Sequence, residues 1–97
     1  MSEQITQIPT PDPQKTIDEL VDKLTADLIT GASAVNSLAD KKDLERNHVN
    51  YGAVTTCANV LRHFGHKVDV PVWEDKGFLR IPKVVINDRI VNFHNGV

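Results

Sequence analysis

Hydrophobic positions recur at steps of three and four over most of this chain and alternate with polar ones only near its end. The clearest helical stretch is NYGAVTTCANVLRHFGH, residues 50–66, in which six apolar side chains share one face. That face comprises Ala53, Val54, Cys57, Val60, Leu61 and Phe64. Asn50 suits a helix start and Gly65 a helix stop, so the pattern predicts a central helix of about four turns.

An earlier apolar face predicts a first helix that begins at Asp12-Pro13, because an acidic cap followed by proline is typical of a first turn. Its apolar positions are Ile17, Leu20, Val21, Leu24 and Leu28. Gly31 is expected to end or bend this helix. Residues 32–48 then supply apolar positions for a second helical piece, with the polar run 41–46 as a solvated turn or helix face.

The alternating pattern after Gly65 predicts strands. Residues 67–73 and 78–81 are expected to form a hairpin around residues 74–77, with Pro71 confining the first strand to a sheet edge. Residues 83–86 and 89–93 predict a second hairpin, because the two residues between them, Asn87 and Asp88, tolerate positive φ. The expected fold class is α+β, with N-terminal helices followed by a small antiparallel β-meander packed on the central helix.

Three prolines in IPTPDPQ mark the start of the chain: Pro9, Pro11 and Pro13. Since proline lacks a backbone donor, we expect residues 1–13 to be a flexible Pro-rich tail and residues 14–97 to be a single domain. The opening MSEQITQIPT has neither the basic nor the apolar region of a secretion signal, and no stretch approaches about 20 apolar residues. These features predict a cytoplasmic protein without a membrane association.

The charge differs between the two parts of the chain. Residues 1–40 hold seven acidic and two basic side chains, whereas residues 41–97 hold six acidic and nine basic ones. The net charge of −2 lacks the basic excess that is typical of nucleic-acid-binding proteins. Two interpretations stay open, namely solvated faces whose fields partly cancel, or docking surfaces for charged partners.

Cys57, His63 and His66 are of residue types that bind zinc or act as nucleophile and base. Cys57, however, lies on the predicted packing face, where a free cysteine behaves as a small hydrophobe. No second pair of close ligands accompanies the three residues, and no phosphate-binding glycine loop is present. We therefore expect no metal, no cofactor and no enzymatic activity.

Binding to a partner protein is the remaining candidate function. Pro71, Trp73 and Phe78 surround a predicted turn and could form an exposed apolar patch, with burial in a small core as the alternative. The prolines at positions 9, 11 and 13 are further candidates, because X-Pro bonds in flexible chain populate both isomers and can be substrates of a prolyl isomerase.

From MSEQITQIPTPDPQ through NYGAVTTCANVLRHFGHKVDVPVW to the final NFHNGV, the text of the chain resembles the small anti-RecBCD proteins of lambdoid phages. The resemblance covers essentially the whole chain but contains no diagnostic motif, so it assigns no binding residue. It implies an early phage protein that binds the RecC subunit of the host RecBCD helicase-nuclease and redirects it in favour of phage recombination. It also suggests a host peptidyl-prolyl isomerase as a second partner and only indirect contact with DNA.

The residues leave an alternative function open, a small DNA-binding regulator that uses the basic C-terminal strand half. Such a protein would bind DNA alone, and its affinity would fall steeply with salt.

Overall fold

The computed structural model of the protein describes residues 13–97, which form two helices, five short strands and a final 3₁₀ turn. The helices are α1, Pro13–Asp40, and α2, Leu44–His63. The strands are β1, Val68–Asp69; β2, Trp73–Asp75; β3, Phe78–Arg80; β4, Lys83–Ile86; and β5, Arg89–Asn92; the 3₁₀ turn is His94–Gly96. The predicted α+β fold class, with helices first and small antiparallel sheets after them, is confirmed.

Helix α1 runs without a break through Gly31, so the predicted helix end there is wrong. A Cβ atom at Gly31 would lie only 2.9 Å from Cγ2 of Val54, which shows how closely α2 packs at this point. This contact outweighs the helix penalty of about 1 kcal/mol that glycine carries. Residues 32–40 therefore continue α1, and the chain turns at Lys42, where φ is 57°.

Helix α2 begins at Leu44 instead of the predicted Asn50. The side chain of Asp43 caps it by accepting a hydrogen bond of 3.2 Å from the backbone N–H of Arg46. The predicted end is confirmed, since Gly65 adopts a φ of 92° and its N–H donates to the Arg62 carbonyl at 2.9 Å. The polar residues before Asn50 thus include the connection between α1 and α2 and the first turns of α2.

The hydrophobic core lies between the two helices and one side of the strands. Its buried members are Leu28, Ala32, Val35, Val54, Ala58, Leu61, Val68, Ile81, Val84 and Ile86. One row of α1 from Leu28 onward contributes, with Val21 and Leu24 packed against it, together with one row of α2. The first eight residues of α1 are exposed, because α1 has 28 residues and α2 only 20.

The buried row of α2 differs from the predicted one. Val54 and Leu61 are buried as expected, but Ala53, Val60 and Phe64 are exposed. Neighbouring rows of a helix have the same spacing, so periodicity alone does not choose between them. The close contact at Gly31 turns Val54 toward α1, and the predicted packing of the other three is wrong. Ile17 and Leu20 of α1 are likewise exposed.

The strands form two antiparallel sheets, one in the order β1-β4-β5 and one composed of β2 and β3. Residues 67–73 were expected to be one strand, which is wrong, because β1 pairs with β4 and only β2 pairs with β3. Pro71 lies between β1 and β2, outside both strands. The second hairpin is confirmed, with β4 and β5 joined through Asn87-Asp88.

Neither of the helices formed by residues 13–97 is long and apolar enough to cross a bilayer. Pro13 is the first residue of α1, a position at which the missing N–H costs no helical hydrogen bond. Pro9 and Pro11, and with them the predicted tail, lie outside the described residues.

Candidate partner-binding surface

Two buried asparagines attach the β2–β3 hairpin to the helices. The amide of Asn36 in α1 donates to the Ile81 carbonyl at 2.8 Å and accepts from the Ile81 N–H at 2.7 Å. The amide of Asn47 in α2 does the same with Leu79, at 2.9 and 2.8 Å. Each carboxamide therefore takes the place of a neighbouring strand along the outer edge of β3.

Both asparagine side chains are fully buried, so their pairing matters for stability. Asn47 also donates to the Val35 carbonyl of α1 at 2.9 Å, which links the two helices. Among residues 13–97, no buried side-chain nitrogen or oxygen lacks a hydrogen-bond partner. Because a buried polar group left without a partner costs about 1–3 kcal/mol, the two amides hold the hairpin firmly in one position.

Arg80 fixes the other face of the hairpin. Its side chain is 15% exposed, and its guanidinium contacts Asp40 at 2.8 Å, Asp75 at 3.1 Å and the carbonyl of Asn95 at 2.8 Å. Hydrogen bonds from Arg80 and from the Asn95 amide lower the pKa of Asp40, and the hydrogen bond to Asp40 raises the pKa of Arg80. Arg80 thereby connects the end of α1, the hairpin and the end of the chain.

The last four residues, which we call the C-terminal turn, pack against this hairpin. The Nε1–H of Trp73 donates to the Gly96 carbonyl at 2.6 Å. Gly96 lies so close to Ile81 that an added Cβ would stand 1.9 Å from the Ile81 carbonyl oxygen. Only glycine fits there, and the orientation of the Trp73 indole therefore depends on the C-terminal turn.

An open groove of about 610 Å³ lies between Pro71, in the loop after β1, and the end of the chain. Its apolar lining consists of Pro71, Pro82, Phe93 and Val97, and its polar lining of Lys83, Asn92 and His94. Val72 and Trp73, which follow Pro71 in the chain, are each about 40% exposed, and Val97 is 86% exposed. We call Pro71, Val72, Trp73 and Val97 the Pro71–Trp73 surface.

Of the predicted binding residues, Pro71 lines the groove, whereas Trp73 is not among the lining residues and is connected to them through its bond to Gly96. Phe78 is half-buried and lies on the same face of the hairpin as Trp73. The pairs Trp73↔Arg80 and Asp75↔Phe78 share this face, because the pair between them, Glu74↔Leu79, has its side chains on the opposite face. The Arg80–Asp75 ion pair lies on that same face. Pro13, at the start of α1, is not among the groove residues.

The cysteine and histidines lie at separate places in the fold. Among residues 13–97, no three His, Cys, Asp or Glu side chains are grouped so that they could hold a metal ion. Cys57 is half-buried, and burial followed by the charge of Asp27 raises the pKa of its thiol. His63 is exposed, and the Nδ1 atom of His66 lies 3.1 Å from the Asn87 amide nitrogen.

Sequence reasoning missed two features of the surface and of the hairpin. The first is a second apolar groove on the outer side of α2, which includes Val60 and Phe64 and was interpreted as core. The second is the asparagine pairing of β3. The sequence contains one signal of this pairing: Asn36 places a polar amide next to Val35, an apolar position of the predicted helix.

The fold of residues 13–97 defines the class of the protein as a two-helix α+β domain with two small antiparallel sheets. A scan against protein-family models and searches of curated proteins and of solved structures find no match to this chain.

Proposed function

We propose that this protein is a phage-encoded, non-enzymatic modulator that acts in the host cytoplasm by binding the RecBCD helicase-nuclease through its RecC subunit. The resemblance of the whole chain to the small anti-RecBCD proteins of lambdoid phages suggests the partner. The observation that supports a binding role best is the Pro71–Trp73 surface, in which Val72, Trp73 and Val97 are exposed and Pro71, which lines the groove, is half-buried.

This surface has the chemistry of an interface centre. Tryptophan is enriched among residues that dominate binding energy, and such residues are surrounded by contacts that exclude water. The bond from Trp73 to Gly96 and the contacts of Arg80 hold the surface in one conformation, so little ordering is needed when a partner binds. A stable interface buries roughly 1,200–2,000 Å² in total, which would include the neighbouring groove residues.

The modulator would act by binding one functional state of RecBCD more tightly than another. A ligand shifts a conformational equilibrium only by its difference in affinity for the two states. Binding at RecC would in this way redirect the processing of DNA ends toward phage recombination, while this protein itself cuts no DNA.

A host peptidyl-prolyl isomerase is the second partner in this proposal. Pro71 lies in the loop between β1 and β2 and lines the groove, where an isomerase could reach the bond that precedes it. Pro9, Pro11 and Pro13 are the other candidates. Substitution of Pro71 by alanine is expected to weaken isomerase binding if the groove is the contact.

Binding to purified RecBCD tests the proposal directly. We expect the wild-type protein to retain RecBCD on a column under mild salt, and Val72→Asp to weaken this binding by about tenfold or more, because a charge would be placed at an apolar contact. Val49→Asp is the matched control, since Val49 is 66% exposed on α2 and should bind as wild type. If the wild-type protein retains no RecBCD, the proposed function is wrong; equal binding by all three proteins would reject the surface alone.

The alternative, a DNA-binding regulator, is favoured by one observation. Lys67, Lys83 and Arg89 are exposed on the strand half, and none has a carboxylate partner within 4.0 Å among residues 13–97. Three phosphate contacts would make the logarithm of the DNA affinity fall with that of salt at a slope of roughly −3. A gel-shift titration of the protein alone at two salt concentrations separates this function from the first.

A further inference from the structure

The two sheets formed by residues 13–97 have four outer edges, which differ in how far their backbone groups are hydrogen-bonded. The edge of β3 is closed by the amides of Asn36 and Asn47. The edge of β1 is covered by Arg62, whose Nε and Nη2 atoms donate to the Val68 carbonyl at 3.0 and 2.9 Å. β2 has three residues, of which only Glu74 directs its backbone groups outward.

The edge of β5 is open. The register shows which backbone groups of β5 point outward. A two-residue turn joins β4 and β5, so the residues that flank it, Ile86 and Arg89, form a hydrogen-bonded pair. Hydrogen-bonded pairs alternate along an antiparallel ladder, and Val84↔Val91 is therefore the next such pair. The next pair confirms this alternation, since the Phe93 N–H donates to the Pro82 carbonyl at 2.8 Å. The N–H and C=O groups of Ile90 and Asn92 therefore face away from β4.

No contact within residues 13–97 satisfies these outward groups. None of the described hydrogen bonds involves the backbone of Ile90 or Asn92 outside the hairpin. The Ile90 side chain is 58% exposed, and β5 contains no proline or bulge that would prevent pairing. A row of two donors and two acceptors at strand spacing is complementary to the main chain of another extended polypeptide.

The charges near this edge indicate the side chains that such a polypeptide would carry. Lys83 lies opposite Asn92, and Arg89 begins β5; both are exposed cations without a carboxylate partner among the described residues. Ile90 lies opposite the half-buried Val85 and forms an apolar row with it. A complementary strand would place an apolar residue beside Ile90 and an acidic residue beside Arg89, while Lys83, which lies on β4 on the far side of β5, adds positive charge at the Asn92 end.

We propose that β5 is a docking edge that receives an extended, acidic segment of the partner protein as an additional strand. The inference rests on the proposed function in so far as it takes RecBCD as the partner. The added strand would form main-chain hydrogen bonds with Ile90 and Asn92 and enlarge the β1-β4-β5 sheet to four strands.

Amide hydrogen exchange tests this proposal. With purified RecBCD added to the full chain, the exchange of the Ile90 and Asn92 amides should slow at least tenfold, because both become hydrogen-bonded in the complex. The Val91 amide already bonds to β4 and serves as the internal reference for the folded hairpin.

A pair of variants separates main-chain recognition from side-chain contact. Ile90→Pro removes the outward N–H without touching a bond to β4, and we expect it to weaken RecBCD binding about tenfold or more. Ile90→Thr keeps the N–H and should weaken binding far less. Protection of the Val91 amide in both variants checks that the hairpin is still formed, and Asn92→Pro repeats the test at the second outward position.

The outcomes are distinguishable. Binding of RecBCD with unchanged exchange at Ile90 and Asn92, or equal affinities of the proline and threonine variants, overturns the docking edge and leaves the proposed function standing. Absence of binding by the wild-type protein overturns both. Concentration-dependent protection of the two amides without RecBCD, together with dimers in analytical ultracentrifugation, would assign the edge to a second copy of this chain and reject the proposal.

Discussion

The two hairpins of this protein obtain their stability in different ways. The β4–β5 hairpin is specified locally, by a two-residue turn at Asn87-Asp88 between alternating strands. The β2–β3 hairpin is held by distant side chains, since Asn36 and Asn47 pair with its edge and Arg80 joins it to Asp40. The comparison shows that a strand can be fixed by helix side chains when no neighbouring strand is available.

The difference extends to what each hairpin can do. The β2–β3 hairpin has the outer edge of β3 paired with asparagine side chains and presents a fixed indole on its face, which suits recognition by side chains. The β4–β5 hairpin presents unpaired backbone at Ile90 and Asn92, which suits recognition by main-chain pairing. Substitutions that release one hairpin and leave the other intact will test this separation.

The largest effect is expected for Asn36→Leu. It would leave the buried N–H and C=O of Ile81 without partners, at about 1–3 kcal/mol for each group. We expect the free energy of unfolding to fall by about 3–5 kcal/mol in a urea titration. Asn59→Ala, which changes an exposed amide of α2, is the control and should cost less than about 1 kcal/mol. A loss at Asn36 no greater than that at Asn59 would refute the role of the amide as a strand substitute.

Gly96→Ala should have the next largest effect. A Cβ at this position clashes with the Ile81 backbone, so the C-terminal turn must detach and the bonds from Trp73 and Arg80 to it are lost. With about 1 kcal/mol for each lost bond, we expect a destabilisation of about 2 kcal/mol and a red shift of Trp73 fluorescence. Deletion of residues 94–97 is the matched comparison, because detachment and removal should give the same spectrum. A Gly96→Ala spectrum like that of the wild type would contradict the model of a fixed indole.

The third effect depends on pH. Since the pKa of Asp40 is lowered in the folded protein, its charge adds stability at pH values above the unfolded pKa of about 3.9. This contribution is lost as the pH falls through the folded pKa. The wild-type protein should therefore melt at a higher temperature than Asp40→Asn near pH 7, and the difference should shrink toward zero near pH 2.

Melting curves of the wild type and Asp40→Asn across this range provide the measurement. Asp88→Asn, which also removes one exposed negative charge but at the turn of the other hairpin, is the control for the change in net charge. A difference between wild type and Asp40→Asn that stays constant down to low pH would show that Arg80 does not depend on the carboxylate charge.

The parts of the fold that the sequence predicted correctly depend on neighbours in the chain. The β4–β5 turn and the stop at Gly65 follow from residues with positive φ, and the position of Pro13 at the first residue of α1 follows from its missing N–H. The parts that were wrong depend on distant contacts. Gly31 does not break α1 because Val54 packs against it, and Phe64 is exposed because Val54 determines which row of α2 faces inward.

The candidate surface was predictable to the same extent. Pro71 and Trp73 could be named because aromatic and proline residues around a turn are typical of binding patches. Their fixation could not be predicted, because it depends on Gly96, which is 23 residues away from Trp73. The open edge of β5 also required the structure, since the pairing of β1 with β4 determines that β5 is on the outside.

The smallest effect is expected in the locally specified hairpin, at Asn87. Its φ is 54°, and its side chain accepts from the Lys67 N–H at 3.0 Å. Asn87→Gly keeps the backbone conformation and loses only the side-chain bonds, so it should cost about 0.5–1 kcal/mol. Asn87→Ala loses the same bonds and must in addition adopt positive φ, which adds about 1 kcal/mol. Urea titration of the two variants gives the difference directly. Equal stabilities would mean that the turn conformation contributes nothing and that this hairpin, like the other, is held by its contacts with the rest of the protein.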